Sequence, residues 1–546
     1  MLRSIQLENF KAFGQRTIIP LAPITLIFGQ NSAGKSSILQ SLNLLKQTRE
    51  SRDVEALLLP RTENGFVDLG SFQELLFDHD LGRTLSIRID MPLGNAIKES
   101  PIVPRFLRKS SSIGLEVSFS RKTVQDEITL EGFKLCGEDS SSFIAQFEKC
   151  DIPRDFRRYG PMSYRSERRR GTGILRAAKC VRVRDEPDFW RYPYEWMTQE
   201  RPMLIGKLKE ARNNIAHDAP TPVRGLFDDD DETGASKATF LRKLEETIEF
   251  VSSEFSYGEF VEWMIREQAG TVVALDGFIP VLSAPADDVP GLDTILNRSL
   301  NRPASRRDWT PDLGFASVFA GRILEQSLGS LFPLGPFRKP PSRWYIFTGT
   351  TPQDVGYEGH LLPDLLFRQP DLLAHTNKWL DRLDIGYEIK IRSLGDAAKD
   401  LFEFRLHDKR RTPPVEVGLS DVGFGISQIL PLVVQSLAAT DQVISVEQPE
   451  VHIHPRLQAD LGDLLIEAIQ EPRRNQFIIE THSEHLALRL QRRVREGKIS
   501  PTDISVVYIG RGSNGATVQP LRLDSEGDFM DDFPGGFFPE RLRELR

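Results

Sequence analysis

The stretch ITLIFGQNSAGKSSILQSL, from Ile24 to Leu42, constrains this chain more than any other. It opens on a β-rich apolar run of the kind that fills a buried strand. Gly29, Gln30, Asn31, Ser32, Ala33, Gly34, Lys35, Ser36 and Ser37 follow, with the spacing Gly-x4-Gly-Lys-Ser. Ile38, Leu39, Leu42, Leu44 and Leu45 then recur at roughly helical spacing. Strand, glycine loop and helix in this order are the context a P-loop requires. The glycines let backbone N–H groups point at phosphates, and the helix N-terminus adds positive potential. In that reading Lys35 holds the β- and γ-phosphates of ATP, and Ser36 ligates Mg²⁺.

A second set of motifs lies about four hundred residues on. QVISVEQPE is a β-branched run ending in acid. Val443, Ile444 and Val446 suit a central strand, and Glu447 emerges at its C-terminal end, where open α/β sheets bind ligands. A carboxylate there can serve the Mg²⁺ shell. In FIIETHS, His482 follows a second apolar strand and is placed to reach a γ-phosphate or an attacking water. In LSDVGFGISQILPLV, two glycines precede a helix expected to start near Ser427, whose free N–H groups suit an anion. Gly425, Ser427 and Gln428 would then close, from a second subunit, over the phosphate held by Lys35. A metal-dependent nuclease built from Glu447, Glu450, His452, His454, His482 and His485 is the competing reading. His452 and His454 alternate in what reads as an extended VHIHP, so they do not share a face with both carboxylates, and a structural role is preferred for them.

The 546 residues are too many for one core. We expect an α/β protein in which the N- and C-terminal parts form one P-loop nucleotide-binding domain, with a large α-rich central insertion. The expected boundaries are 1–140, 141–330 and 331–546. Residues 154–184 carry eleven Lys or Arg against two acids, which suits a nucleic-acid or acidic partner despite a net charge of −8. The three cysteines form no CxxC pair, and a reduced, cytoplasmic setting follows. Apolar runs fall short of the ~20 residues of a membrane span, and the N-terminus shows no signal-peptide pattern.

Together these residues resemble an ABC-type ATPase of the SMC-like and OLD-like branch. IQLENFKAFG is similar to that group's opening strand, where a basic residue at the position of Lys11 approaches the nucleotide. Gly29–Ser36 match Walker A, DVGFGISQILP the signature segment, VEQPEVHIHP Walker B with its following loop, and ETHSEHL the His switch. LGPFRKPPSRWY…VGYEG and DFPGGFFPE look like the stand-alone ATPases of bacterial anti-phage systems, such as the Septu ATPase and its retron-associated relatives. The resemblance implies a homodimer or higher even-numbered oligomer around ATP. It also implies an HNH-type nuclease as partner, a reverse transcriptase with noncoding RNA in some systems, and nucleic acid as target. OLD-type proteins carry a C-terminal Toprim nuclease, for which the residues after Ile509 are too few, so nuclease activity is expected in a partner. A SMC- or RecF-like DNA repair ATPase is the alternative. The usual Asp-Glu pair of Walker B stands here as Glu447-Gln448. An amide cannot act as general base, so hydrolysis is expected to be slow. Glu450 is then the nearest replacement, with Glu447 and His482 completing the catalytic set. Gln73 is the candidate for the Q-loop.

Overall fold

The computed structural model describes residues 1–51, 56–63, 65–94, 110–121, 123, 127–137, 144–149, 174–180, 194–217, 234–268, 272–284, 313–394, 400–413 and 415–534. The chain divides into two compact units. The first comprises Met1–Glu50, Leu59–Arg83 and Ser327–Arg546; the second comprises Ser51–Leu58 and Thr84–Gln326. Most of the basic stretch, including Arg168, Arg169 and Arg170, lies outside the described residues. Among the described residues no helix is long and apolar enough to cross a membrane.

The first unit is built on a six-stranded sheet. Its order is Leu331–Leu334, Val443–Glu447, Gln476–Glu480, Ile24–Gly29, Ile504–Gly512 and Gly515–Leu521. The first five strands are parallel and the last is antiparallel. The strand containing ITLIF therefore pairs on both sides with C-terminal segments. Such strands are covered on both faces, which is why they read as continuous apolar runs. Ile24, Leu26, Ile444, Val446, Phe477 and Ile479 pack against Val433 and Val434 of helix Phe424–Ala438 and Leu464 of helix Pro455–Ile469. Every parallel strand ends at the same sheet edge, so Gly29, Glu447 and Glu480 arrive together. This is the α/β architecture expected from the sequence, with both ends of the chain contributing to one domain.

Two local expectations change. GYEIKIRSL and LFEFRLHD read as members of the alternating α/β layer. They instead form an antiparallel pair, Tyr387–Ser393 with Leu401–Asp408, in a separate four-stranded sheet. Only a short connection lies between them, and a parallel pairing needs a crossover of a dozen or more residues. The signature helix starts at Phe424 rather than near Ser427. Gly423 occupies its N-cap with φ −59° and ψ 152°. Glycine weakens helix interiors but is tolerated at the cap, so the two glycines mark the first turn instead of preceding it.

The second unit carries seven consecutive antiparallel strands, from Leu85–Pro92 to Ile279–Ala284. Its helices include Arg201–Ala216, Gly234–Ser252 and Tyr257–Gln268. Its sheet contains a buried ion pair, Arg88 Nε to Asp90 Oδ1 at 2.8 Å.

Candidate functional site

The loop between strand Ile24–Gly29 and helix Lys35–Glu50 is shaped by what surrounds it. Gly29 has φ +146°, and a Cβ there would lie 2.2 Å from the carbonyl oxygen of Ile509 on the neighbouring strand. Gly34 has φ +106°, and its Cβ would lie 2.6 Å from Cβ of Ala12. Any other residue at either position would force backbone strain and a clash. Ser32 is also left-handed, at φ +58°. Arg511 Nη2 donates to the carbonyl of Asn31 at 3.0 Å and holds the loop from the adjacent strand. The contact with Ala12 brings the Phe10–Phe13 turn against the loop. Lys11, in that turn, has φ +48° and donates its N–H to Leu75. Burial pulls its ammonium below the ordinary lysine range, with Glu74 opposing.

Lys35 is 4% exposed, and its Nζ donates to the carbonyl of Gln30 at 2.9 Å. Burial lowers its pKa, while Glu480 and Glu450 oppose the shift. The Ser36 side chain lies beside the carboxylate of Glu480 and favours its charged form. Glu480 is the register partner of Glu447 on the next strand. Burial pushes the Glu447 carboxyl up to about 7, Glu480 adds to this, and Arg338 works against it. The Glu480 carboxyl is likewise raised by burial, against Ser36 and Lys35.

Gln448 has φ +45° and donates its N–H to the Glu480 carbonyl at 2.8 Å. Two overlapping turns follow, with Val451 N–H to Gln448 and Ile453 N–H to Glu450. VHIHP is thus a turn and not an extended segment. Pro449 and the left-handed His452, at φ +61°, break the strand. His454 caps helix Pro455–Ile469, accepting at Nδ1 from Arg456 N–H at 3.3 Å. Among the described residues, no group of three or more His, Cys, Asp or Glu side chains is placed to hold a metal ion.

Glu450 faces back toward the His switch. Its Oε1 accepts from His482 N–H at 2.6 Å and its Oε2 from the Thr481 hydroxyl at 2.8 Å. Oε1 thereby fixes the backbone of His482, and Oε2 fixes the side chain of the residue before it. Burial raises the Glu450 carboxyl, against these hydrogen bonds. Burial also lowers the imidazole of His482, and the nearby Lys35 lowers it further. At neutral pH the ring is an uncharged acceptor beside the P-loop lysine. Ser483 then caps helix Glu484–Arg495 by accepting from Leu486 N–H at 3.2 Å.

Glu447, Glu450, His482, Lys35 and Ser36 therefore come together at one sheet edge. Gly425, Ser427 and Gln428 lie in the first turns of helix Phe424–Ala438. A Cβ on Gly425 would lie 3.0 Å from the carbonyl of His452, so this helix start sits beside the turn after Walker B. Ser427 is 8% exposed, one turn inside. Gln73 uses its side-chain amide on the carbonyl of His79, at 3.1 Å.

Three contributors escaped the sequence reading. Glu480 was legible as part of FIIETHS, but its pairing with Glu447 depends on sheet register. Arg338, in LGPFRKPP, is 5% exposed; it donates to Pro336 O at 3.0 Å and to Glu447 O at 3.5 Å. Burial lowers its pKa to about 10, with Glu447 and Glu450 opposing. Tyr357 lies nearby, and burial together with Glu447 pushes its hydroxyl up to about 12.

The donor set fits a magnesium nucleotide. Mg²⁺ takes oxygen ligands, commonly one or two carboxylates with substrate phosphates. The hydroxyl of Ser36 and the raised, crowded carboxyl of Glu447 would supply such ligands. The bound ion would withdraw charge from the phosphates. Lys35 and the free N–H groups at the start of its helix would hold them.

Residues 1–146 and 374–487 match the family model described as an AAA ATPase domain. No curated protein matches the chain. Solved structures similar to it include the Smc head domain of Pyrococcus furiosus with an extended coiled coil, bound to the C-terminal domain of ScpA. That one is 11% identical, covers 100% of this chain and 98% of its own, and has a TM-score of 0.35. The SMC head domain of Thermotoga maritima is 10% identical over 96% of this chain and 99% of its own, with a TM-score of 0.34. The Smc head of Pyrococcus yayanosii, with a coiled coil and joint, is 10% identical over 100% and 99%, with a TM-score of 0.38. The matched segments lie at the two ends of the chain and are similar to an AAA ATPase domain, and both ends contribute strands to one α/β domain.

Proposed function

We propose that the protein is an ATP-binding and slowly ATP-hydrolysing subunit that dimerises around Mg²⁺-ATP and controls a partner nuclease in bacterial anti-phage defence. The observation that carries the ATPase reading is the meeting of Lys35 and Ser36 with Glu447, Glu480 and His482 at one sheet edge. The reaction would be in-line attack of water on the γ-phosphate. Lys35 holds the phosphates, Ser36 and Glu447 hold Mg²⁺, and His482 orients the water. Glu450 acts on His482 through its main chain and is the carboxylate we assign to accept the proton. The first turn of helix Phe424–Ala438, from a second copy, closes the phosphate site. A clamp that turns over slowly suits a switch, because the ATP-bound form persists until a signal arrives.

The defence reading rests on the likeness of LGPFRKPPSRWY, VGYEG and DFPGGFFPE to the Septu and retron-associated ATPases, which work beside a separate HNH nuclease. The basic stretch Arg154–Arg184 is proposed as the surface for nucleic acid or for that partner. Co-purification with the product of the neighbouring gene tests it. An HNH protein in a stable complex, with nuclease activity that depends on ATP, is the expected result. An ATP-dependent DNA-binding protein with no nuclease partner would favour the repair-type alternative.

A further inference from the structure

The site contains a carboxylate that neither the P-loop nor the Walker B strand accounts for. Glu480 ends the strand lying between them. It is 3% exposed, and its Oε2 has no hydrogen-bond partner among the described residues. Its carboxylate lies beside Ser36, the residue proposed above to hold the magnesium ion. Its register partner is Glu447, the other such residue. A buried carboxylate with an unsatisfied oxygen costs stability unless a cation or donor reaches it. A purely structural acid at this position would be paired on both oxygens, as Glu450 is with Thr481 and His482. Lys35 is close by and its charge acts on Glu480, but it makes no hydrogen bond to this oxygen.

We propose that Glu480 is a magnesium-site residue, completing with Ser36 and Glu447 the oxygen set that holds the cation against the nucleotide phosphates. Two geometric observations converge on this, the register pairing with one expected ligand and the orphaned oxygen, and the nearness of the other expected ligand, Ser36, agrees with them. Two adjacent carboxylates and a hydroxyl, with phosphate oxygens and water, meet the octahedral oxygen preference of Mg²⁺. The cation also removes the repulsion between Glu447 and Glu480 and between Glu480 and the incoming phosphates. Without the cation, Glu480 opposes nucleotide; with it, Glu480 favours nucleotide. Binding of the metal and of the nucleotide are thereby coupled. The inference rests on the nucleotide-site reading above.

The test uses the full-length protein, ADP and Mn²⁺ as a spectroscopic substitute for Mg²⁺. Free Mn²⁺ is measured by electron paramagnetic resonance as metal is titrated into ADP-loaded protein, and ADP affinity is measured separately in EDTA. Glu480→Gln should weaken Mn²⁺ binding by about tenfold or more, the scale on which metal-site substitutions act. Its metal-free ADP affinity should stay equal or rise, because a negative charge beside the phosphates is gone. Should the glutamine variant fail to fold, Glu480→Asp keeps the charge but withdraws it by one methylene, and a several-fold loss of Mn²⁺ affinity is expected. Unchanged Mn²⁺ affinity in a folded variant overturns the assignment and leaves Glu480 as a counter-ion of Lys35. Lys35→Ala separates the two readings. If it abolishes ADP binding while Glu480→Gln holds Mn²⁺ normally, only the Glu480 inference falls. If it binds ADP like the parent, the nucleotide site itself falls.

Discussion

Glu447 and Glu480 face each other in parallel register at the ends of adjacent strands, and both carboxyls sit above the ordinary range. A buried acid beside a half-buried one forms a proton trap when no cation is present. The folded state binds a proton at Glu447 up to a pH of about 7, whereas the unfolded chain releases it near the ordinary glutamate value of 4.5. Between those values the native state holds more protons, so stability falls as pH rises. Nucleotide-free protein should therefore lose on the order of 2–3 kcal/mol across this window, because a tenfold change in proton affinity is worth ~1.4 kcal/mol. Glu447→Gln should remove that slope and melt higher than the parent at pH 8. Thermal melts of both proteins at pH 5.5, 7 and 8 decide it. Parallel pH curves would show that Glu447 does not titrate there.

Metal affinity should run the other way with pH. A ligand must shed its proton before it binds a cation. Mg²⁺ binding to the ADP-loaded protein should tighten up to a pH near 7, where Glu447 ionises, and then level off. Calorimetry at three pH values reads this directly, and an affinity independent of pH would remove Glu447 from the cation.

Nucleotide affinity should depend on Lys35. Its ammonium is nearly buried and already donates to a loop carbonyl, so it is preorganised for phosphate. Lys35→Ala should weaken ATP binding by the worth of a charged hydrogen bond, on the order of 1.5–3 kcal/mol. Equilibrium dialysis or calorimetry would report equal affinity if the loop bound no phosphate.

Dimerisation around ATP should fail when negative charge is placed at the start of the signature helix. Ser427 is a poor site for such a test, because it is buried. Gly423 is exposed, a Cβ there meets nothing within 4 Å, and its φ is ordinary for any residue. Aspartate is also a favoured N-cap. Gly423→Asp should therefore leave the fold and single-protomer nucleotide binding intact while abolishing the ATP-dependent dimer. Light scattering with and without ATP measures this, and an undiminished dimer would place the closing surface elsewhere.

Hydrolysis separates Gln448 from Glu450. Gln448→Glu introduces a carboxylate at an unchanged, left-handed backbone position. It should raise single-turnover hydrolysis, since a general base contributes ~10²–10⁴-fold. Glu450→Gln should lower turnover. It should also reduce stability by roughly 1–3 kcal/mol, because an amide NH₂ would then face Thr481 or the His482 N–H. A Glu450→Gln protein that turns over like the parent would assign the base to His482 or to a partner group.

How much of this was legible in the sequence follows the range of each interaction. Gly29 to Ser36 announce themselves because strand, loop and helix are contiguous and the glycines answer contacts a few ångströms away. Val443–Glu447 and Gln476–Glu480 were legible as buried strands from their apolar runs. Their mutual register was not, because nothing local tells that Glu447 stands opposite Glu480. Arg338 was hidden for the same reason: its placement comes from strand Leu331–Leu334 lying beside Val443–Glu447. The helix start at Phe424 and the turn at His452 were misread where glycine and proline chemistry admits more than one backbone path.

The strand Ile24–Gly29 takes its hydrogen bonds from Gln476–Glu480 on one side and Ile504–Gly512 on the other. On the ribosome, the P-loop strand therefore emerges long before either of the strands that hold it in place. At ~5–20 residues per second, synthesis leaves it waiting roughly half a minute to a minute and a half for its neighbours. A nascent chain of this protein exposes a sticky apolar ribbon throughout that interval, which makes this segment a natural client for chaperones. It also means the ATP site cannot exist on a growing chain until both neighbouring strands have been made.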